Sequence, residues 1–314
     1  MRFSVVIPTM RREQILADTL ASLESCDPPP DEVIVVDSDE DGSSQPVVTA
    51  FDNAFSRSVR YHRTAPSLTR QRNLGIDDSS GEIVVFLDDD VTVPARLFAR
   101  LQEVYEDGSV IGATGKVVEP QDDRRLGPLS PIRRLLLGRG NEGTFTRYGY
   151  PRYLADVDRP QDVEFMRGCF MSARRDAATT VRFDEQLGGY ALAEDEDFSY
   201  RLSRLGRIRY SPEIVVQHRK LGFGSHDPRR LARLVVVNRA YLFRKNFPGT
   251  IAARTQFVLF VGMLVAHRIA NRQWRGAQGV LEGALDAWRA RPRGYPRQTP
   301  DSSQGGPELK ERKE

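Results

Sequence analysis

The sequence predicts an α/β protein: a doubly wound, mostly parallel sheet followed by a C-terminal helical appendage. Three observations carry this. Short apolar, β-branched runs alternate with stretches of helical periodicity through the first two thirds of the chain. Two of those runs, Val33–Val36 and Val84–Leu87, are uniformly apolar, as buried strands are, and each ends in a carboxylate. From Leu231 onward the patterning is helical.

The first strand is expected over Phe3–Ile7, with Pro8 stopping it. Ile15, Leu16, Thr19, Leu20 and Leu23 recur at helical spacing until Cys26-Asp27-Pro28-Pro29-Pro30 breaks the helix. Glu32–Asp37 is the second strand, Ser38–Ser44 a loop rich in Asp, Gly and Ser, and Val59–His62 the third strand. A helix over Leu68–Ile76 leads through the turn Ser79-Ser80-Gly81 into the run that closes on Asp88-Asp89-Asp90. Leu97–Tyr105 reads as a helix and Val110–Val118 as a strand. Glycines and prolines then interrupt every pattern from 120 to 165, and so long an irregular segment is usually a functional loop. Order returns at Val163–Ala173. Phe198, Leu202 and Leu205 share the face of a helix that starts at Glu194-Asp195-Glu196-Asp197 and ends at Gly206. Ile214–Val216 is a strand ending near His218, and helices follow over Leu231–Phe243, Ile251–Ile269 and Ala277–Trp288. The expected organisation is a domain over 1–220, amphipathic helices over 221–290 and a disordered basic, polar tail over 291–314.

With 39% hydrophobic and 28% charged residues, the 314-residue chain has the composition of a soluble globular protein. No run approaches the roughly 18–20 apolar residues of a membrane span, and the N-terminal run is too short for a signal peptide. Cys26 and Cys169 have no metal-type spacing and imply no disulfide framework, which fits a reducing, cytoplasmic setting. The net charge of +3 conceals an asymmetry. Arg219 to Arg297 hold 16 Lys and Arg against three acids, an excess of 13, so the remainder carries −10. A basic end suits an anionic partner such as a membrane surface; nucleic acid is set aside because no recognised reader motif occurs.

Three adjacent aspartates at a strand end repel one another unless a cation lies between them. Hard divalent cations, Mg²⁺ or Mn²⁺, take such oxygen ligands. Taken alone, the triplet is equally a solvated turn with Asp90 capping the next helix. Glu194 to Asp197 are, on the same footing, helix N-terminal charges complementing the dipole.

The order and spacing of the motifs decide between these readings. Val5-Val6-Ile7-Pro8-Thr9, Val35-Val36-Asp37, Arg72-Asn73-Leu74-Gly75, Phe86-Leu87-Asp88-Asp89-Asp90, Glu194-Asp195-Glu196-Asp197 and His218 follow one another along the chain. In that order they resemble the family 2 glycosyltransferases of the GT-A fold, over roughly residues 3 to 220. Gly168-Cys169-Phe170-Met171 and Phe183-Asp184 resemble the segments that precede the acidic cluster in that family. The resemblance implies roles. Asp88 and Asp90 would hold a divalent metal, Mg²⁺ or Mn²⁺, on the donor diphosphate, with Asp89 toward the donor sugar or ribose. Pro8, Thr9 and Asp37 would line the nucleotide pocket, Asp37 pairing with the base. Arg72 would lie near the nucleotide, Asp195 would be the general base, and His218 a further metal ligand. Glu194 and Tyr190 would sit on the acceptor side. The implied activity is inverting transfer from a nucleotide sugar, a UDP- or dTDP-sugar being favoured, to a saccharide or lipid-linked acceptor.

Asp195 poses a tension: a helix N-terminus lowers a carboxyl pKa, while neighbouring Glu194, Glu196 and Asp197 raise it. Tyr148, Tyr150 and Tyr153 are equally loop anchors or stacking platforms for an acceptor sugar, and Cys169 is most simply a packing residue. Two other functions share parts of this pattern. A nucleotidyltransferase would carry a Gly-rich loop after the first strand, where Pro8-Thr9-Met10-Arg11-Arg12 has no glycine. A non-catalytic binding module would have no need of Asp88, Asp90 and Asp195 together. Finally, Phe257–Ala266 is uncharged, mostly apolar and flanked by Arg254, His267, Arg268, Arg272 and Arg275, and Leu281, Leu285 and Trp288 share a helix face. These features suit a peripheral place on the inner face of the cell membrane, or else helices packed on the sheet domain.

Overall fold

The computed structural model describes residues 1–120, 142–154, 157–187, 191–220 and 227–289. Tyr190, the tail and half of the 120–165 segment lie outside the described residues.

The strands are β1 (Phe3–Thr9), β2 (Glu32–Asp37), β3 (Ser58–Arg63), β4 (Ile83–Leu87), β5 (Val91–Thr92), β6 (Val110–Val118), β7 (Gln161–Val163), β8 (Phe170–Arg174) and β9 (Arg207–His218). They form one sheet in the order β3-β2-β1-β4-β8-β6-β9-β5, with β7 on β9. The first four are mutually parallel. Helices α1 (Glu13–Glu24), α2 (Gln45–Ala54) and α3 (Leu68–Asp78) make the crossovers between them. Beyond β4 the sheet is mixed: β8 runs antiparallel to β4 and β6, while β6 and β9 are parallel.

β1 does not stop at Pro8. It runs to Thr9, pairing Pro8 with Val36 and Thr9 with Asp37. Its ladder to β4 ends at Val6–Phe86, so the donor that proline lacks is not called for on that side. Helix α2 has no counterpart in the sequence reading; it buries only Val48 and Phe51, too few to show a period.

Val5, Val6, Ile7, Val33 to Val36 and Val84 to Leu87 are fully buried, because helices cover both faces of the parallel half. On one face Leu16, Leu20, Leu23, Phe98 and Leu101 of α1 and α4 (Leu97–Tyr105) complete the core. On the other lie Ile76, Met171, Phe183 and Phe198. The C-terminal ends of β1, β2 and β4 bring Thr9, Asp37 and Asp88 to one edge, where open α/β sheets bind ligands.

Two shorter helices, α5 (Arg175–Val181) and α6 (Glu194–Ser203), precede β9. The chain continues as α7 (Pro228–Asn246), α8 (Ile251–Ala270) and α9 (Trp274–Arg289). Asp227 and Thr250 cap α7 and α8, accepting from the Arg229 and Ala253 N–H groups. The C-terminal helices were open between membrane contact and packing on the sheet domain. α7 packs: Arg239 pairs with Glu196, and Lys245 with Asp184 and Asp197.

Gly75 sits where α3 crosses β1, and a Cβ there would overlap both γ-methyls of Val6, one of them at 2.8 Å. Overpacking of this kind costs about 1–3 kcal/mol. Gly75→Ala is expected to lower the urea midpoint accordingly. Adding Val6→Ala should return part of that loss; a double variant no more stable than Gly75→Ala would refute this account of the crossing.

Candidate active site

The end of β4 splits its three aspartates by direction. Asp88, Asp90 and His218 offer ligand atoms that all lie within 4.8 Å of one another. His218 arrives because β9 pairs with β5, Val91 facing His218, and the Arg219 N–H donates to the Asp90 carbonyl at 3.0 Å. His218 Nε2 stands 3.2 Å from Asp90 Oδ1, and Nδ1 stands 3.1 Å from Glu119 Oε1. Burial alone would lower the imidazole pKa, but hydrogen bonds to Asp90, Cys169 and Glu119 raise it to about 12. Its proton balances these carboxylates, and a cation bound to the ring would take that proton's place. The bond to His218, with Arg167 and Lys220, holds the Glu119 carboxyl down at about 2, although partial burial opposes them. Two carboxylates and an imidazole are a fitting donor set for Mg²⁺ or Mn²⁺.

Asp89 turns the other way. Thr9 Oγ1 donates to its Oδ2 at 2.8 Å and Arg12 Nη1 to its Oδ1 at 3.0 Å. Burial pushes its carboxyl up to about 6, against Arg12 and Thr9. Asp37 is likewise engaged on both oxygens, accepting from the Asp39 N–H at 2.8 Å, the Ser44 N–H at 3.2 Å and the Tyr61 hydroxyl at 2.9 Å. Pro8 and Thr9 are buried at the end of β1.

Arg72 is 1% exposed and joins distant segments. Its Nη2 donates to Asp88 Oδ1 at 3.0 Å and to the Gly168 carbonyl at 2.8 Å, and its Nη1 to Glu194 Oε1 at 2.8 Å.

Asp195 lies in the first turn of α6. Its Oδ2 accepts from the Gly168 N–H at 2.9 Å, and its Oδ1 from the Glu196 N–H at 2.8 Å. Burial outweighs Arg72 and these two donors, so its carboxyl lies above the ordinary range. Glu194 is raised too, by burial and then by the Asp195 charge, against Arg72. The tension at Asp195 thus resolves upward. The chain enters α6 through Ala191 (φ 49°) and Ala193 (φ 71°), left-handed backbone that costs a non-glycine residue about 1 kcal/mol or more. Between them, Asn238 of α7 donates to the Leu192 carbonyl at 3.0 Å.

A cavity of about 190 Å³ is lined among others by Lys116, Tyr153, Phe165, Arg167 and Tyr210. The Tyr153 hydroxyl donates to Glu196 Oε1 at 3.4 Å, and Arg167 adjoins Gly168. Tyr148 and Tyr150 act as anchors, packing on Phe260 of α8 with ring centroids 5.6 and 5.0 Å away. Sequence reasoning missed Arg12, Glu119, Asn238 and Arg239. The Arg11-Arg12 pair straight after β1 was visible, without a partner to give it meaning. The other three carry no local signal.

With this geometry in place, comparison with known proteins is decisive. Residues 4–182, more than half of the chain, match the family described as Glycosyl transferase family 2. The chain belongs to this family. Membership sets the nucleotidyltransferase alternative aside. The chain is 28% identical over 222 residues to the succinoglycan biosynthesis protein ExoM of Rhizobium meliloti, covering 69% of this chain and 66% of that protein. It is 28% identical over 112 residues to the GalNAc(5)-diNAcBac-PP-undecaprenol β-1,3-glucosyltransferase of Campylobacter jejuni, covering 34% and 35%. The chain therefore spans just under two thirds of the first relative and about a third of the second. Among solved structures, the mannosyltransferase PcManGT from Pyrobaculum calidifontis, in complex with GDP-Man and Mn²⁺, superposes with a TM-score of 0.55 at 16% identity. That match covers 91% of this chain and 87% of the other, and shows a shared GT-A fold.

Removing the Arg72 guanidinium leaves buried carboxylates uncompensated, a change that costs about 3–5 kcal/mol. Arg72→Gln should lose that much stability at pH 8. Glu194, with its folded pKa raised, binds its proton more tightly folded than unfolded, so the deficit should shrink as pH falls toward pH 5.5. Urea titrations at the two pH values read this directly; an equal deficit at both would contradict it.

Proposed function

We propose that this glycosyltransferase moves a sugar from a nucleotide sugar to an acceptor hydroxyl in one inverting displacement. Asp88, Asp90 and His218 would hold Mg²⁺ or Mn²⁺, and Asp195 is the general base. The observation that carries this reading is the pair Gly168-Cys169. The Gly168 N–H grips Asp195 at 2.9 Å, and the Cys169 carbonyl accepts the Asp88 N–H at 3.2 Å. Two consecutive residues thus fix the distance between the two ends of the reaction.

When bound, the cation supplies Lewis-acid charge to the diphosphate oxygens of the leaving group. Asp195 takes the proton that the acceptor hydroxyl loses on attack; its raised pKa brings it nearer working pH than an ordinary carboxylate. Pro8, Thr9, Asp37, Arg72 and Asp89 frame the nucleotide pocket. Since the protein itself engages both carboxylate oxygens of Asp37 and of Asp89, these two act through the loops they brace, Ser38–Ser44 and Thr9–Arg12. Glu194 and Tyr190 belong to the acceptor side, with the cavity between Lys116, Tyr153 and Arg167 as its floor.

The donor is a UDP- or dTDP-sugar, and a GDP-sugar is the rival that the Pyrobaculum neighbour raises. The acceptor is a saccharide or a lipid-linked saccharide, in cell-surface polysaccharide or glycolipid synthesis. The names of the two relatives support this. The reading places the enzyme in the cytoplasm, at the inner face of the cell membrane. Thermal shifts with UDP, dTDP and GDP in the presence of Mn²⁺ rank the nucleotides, because a ligand that binds only the folded state raises the melting temperature.

Two variants test the chemistry, read as nucleoside diphosphate release from a panel of nucleotide sugars with Mn²⁺. Asp88→Ala or Asp90→Ala should abolish release and Mn²⁺-dependent nucleotide binding in a folded protein. Wild-type nucleotide affinity indifferent to EDTA would sink the metal assignment.

Asp195→Asn keeps size and polarity but cannot take the proton. It should lower kcat at least about 10²-fold with donor binding nearly intact. Turnover near the wild-type rate would pass the role of base to another group.

A further inference from the structure

Helix α9 is built inside out. The face it turns inward is small except for Val280: Gly276, Ala277, Gly279, Gly283 and Ala287 are buried, and a Cβ on Gly283 would stand 2.6 Å from the Arg233 carbonyl oxygen of α7. Its large side chains face away from the protein. Trp274 is 64% exposed, Leu281 53%, Leu285 50% and Trp288 82%, and they recur along one stripe of the helix. Helix α8 is apolar on both sides, with Phe260 and partly buried Phe257, Val261, Met263 and Leu264 inward and a second apolar row outward. Ala253 and Phe260 are buried against Tyr148 and Phe243, while Ile251, Val258, Leu259 and Ile269 are exposed. An amphipathic helix in water buries its large apolar side chains and keeps the small ones outside, the reverse of α9.

The charges complete the pattern. The two acids of α9 are drawn inward, Glu282 to Arg229 and Asp286 to Arg233 of α7. Arg254, Arg272 and Arg289 are exposed, and Arg275 keeps 72% of its side chain exposed while reaching Asp227 at 3.1 Å. An apolar stripe bounded by indoles and fringed by arginines is complementary to one surface: acyl chains beneath negatively charged headgroups. Among the described residues no helix is long and apolar enough to cross a membrane.

We propose that the outer faces of α8 and α9 seat the protein on an anionic bilayer. Trp274 and Trp288 lie at headgroup level, Leu281 and Leu285 enter the acyl boundary, and Arg272 and Arg275 meet lipid phosphates. This rests on the reading of an enzyme at the inner membrane face, and names the surface and the lipid it needs.

The test is flotation of the full-length protein with vesicles of phosphatidylglycerol or of phosphatidylcholine. Binding to phosphatidylglycerol at low salt, weakened by added salt and much weaker on phosphatidylcholine, is expected. Leu281→Glu with Leu285→Glu should reduce the bound fraction at least about tenfold, and Arg272→Glu with Arg275→Glu should remove the preference for phosphatidylglycerol. All four substitutions are at exposed positions, so nucleotide thermal shifts should stay at wild-type values and certify the fold. Absence of binding at low salt, or binding indifferent to both pairs, overturns the proposal. So does self-association in light scattering that the leucine pair abolishes, which would give the face to a second copy of the chain. Sugar transfer to a soluble acceptor is measured separately. Its failure with vesicle binding intact would strike the catalytic reading and leave this surface standing.

Discussion

One buried guanidinium makes the rest of the site possible. Asp88, Glu194 and Asp195 come from two segments more than a hundred residues apart, and three carboxylates at such close quarters cannot share a poorly solvated space unaided. Arg72 sits among them, bonded to two, and adds the Gly168 carbonyl as a third anchor. It also lies 5.2 Å over the Phe183 ring, which fixes the plane of the fork. A lysine could not make these bonds at once; the planar fork is what spans them. The Asp88 end and the Asp195 end of the site are thus tied together by one side chain on α3 as well as by the Gly168-Cys169 backbone.

Much of the fold was legible because the parallel half is strictly local in its signals. β2 occupies the residues its apolar run announced, and β4 ends where its carboxylates begin. The triplet also showed where a metal site would stand. What the sequence could not show was direction. Past the end of β4 the chain turns, the Val91 N–H donating to the Asp88 carbonyl, and this turn sends Asp88 and Asp90 to His218 while Asp89 meets Thr9 and shares Arg12 with Asp90. The same limit hid the two engaged oxygens of Asp37. Glu119 and Arg239 were illegible for another reason. Their partners lie 99 and 43 residues away, and only the closed fold brings them together.

The acidic turn that opens α6 looked like four interchangeable charges at a helix N-terminus. It is four different contacts. Glu194 goes to Arg72, Asp195 to the Gly168 N–H, Glu196 to Arg239, and Asp197 to Arg201 and Lys245. Successive residues on a helix point about 100° apart, so one turn reaches Arg72 of α3, β8's approach and α7. Burial makes each contact specific, because a displaced charge would have no water to retreat to.

Two of these contacts, with the bond from Asn238 to the Leu192 carbonyl, come from α7. The stretch matched to the family ends at residue 182, so the left-handed entry at Ala191 and Ala193 is braced from beyond it. The Asp88 end of the site is written in one part of the chain and the brace of the Asp195 end in another, so the second part can vary while the first is inherited unchanged. The same division makes the C-terminal helices poor candidates for trimming: cutting α7 away would release the spring that holds the entry to α6.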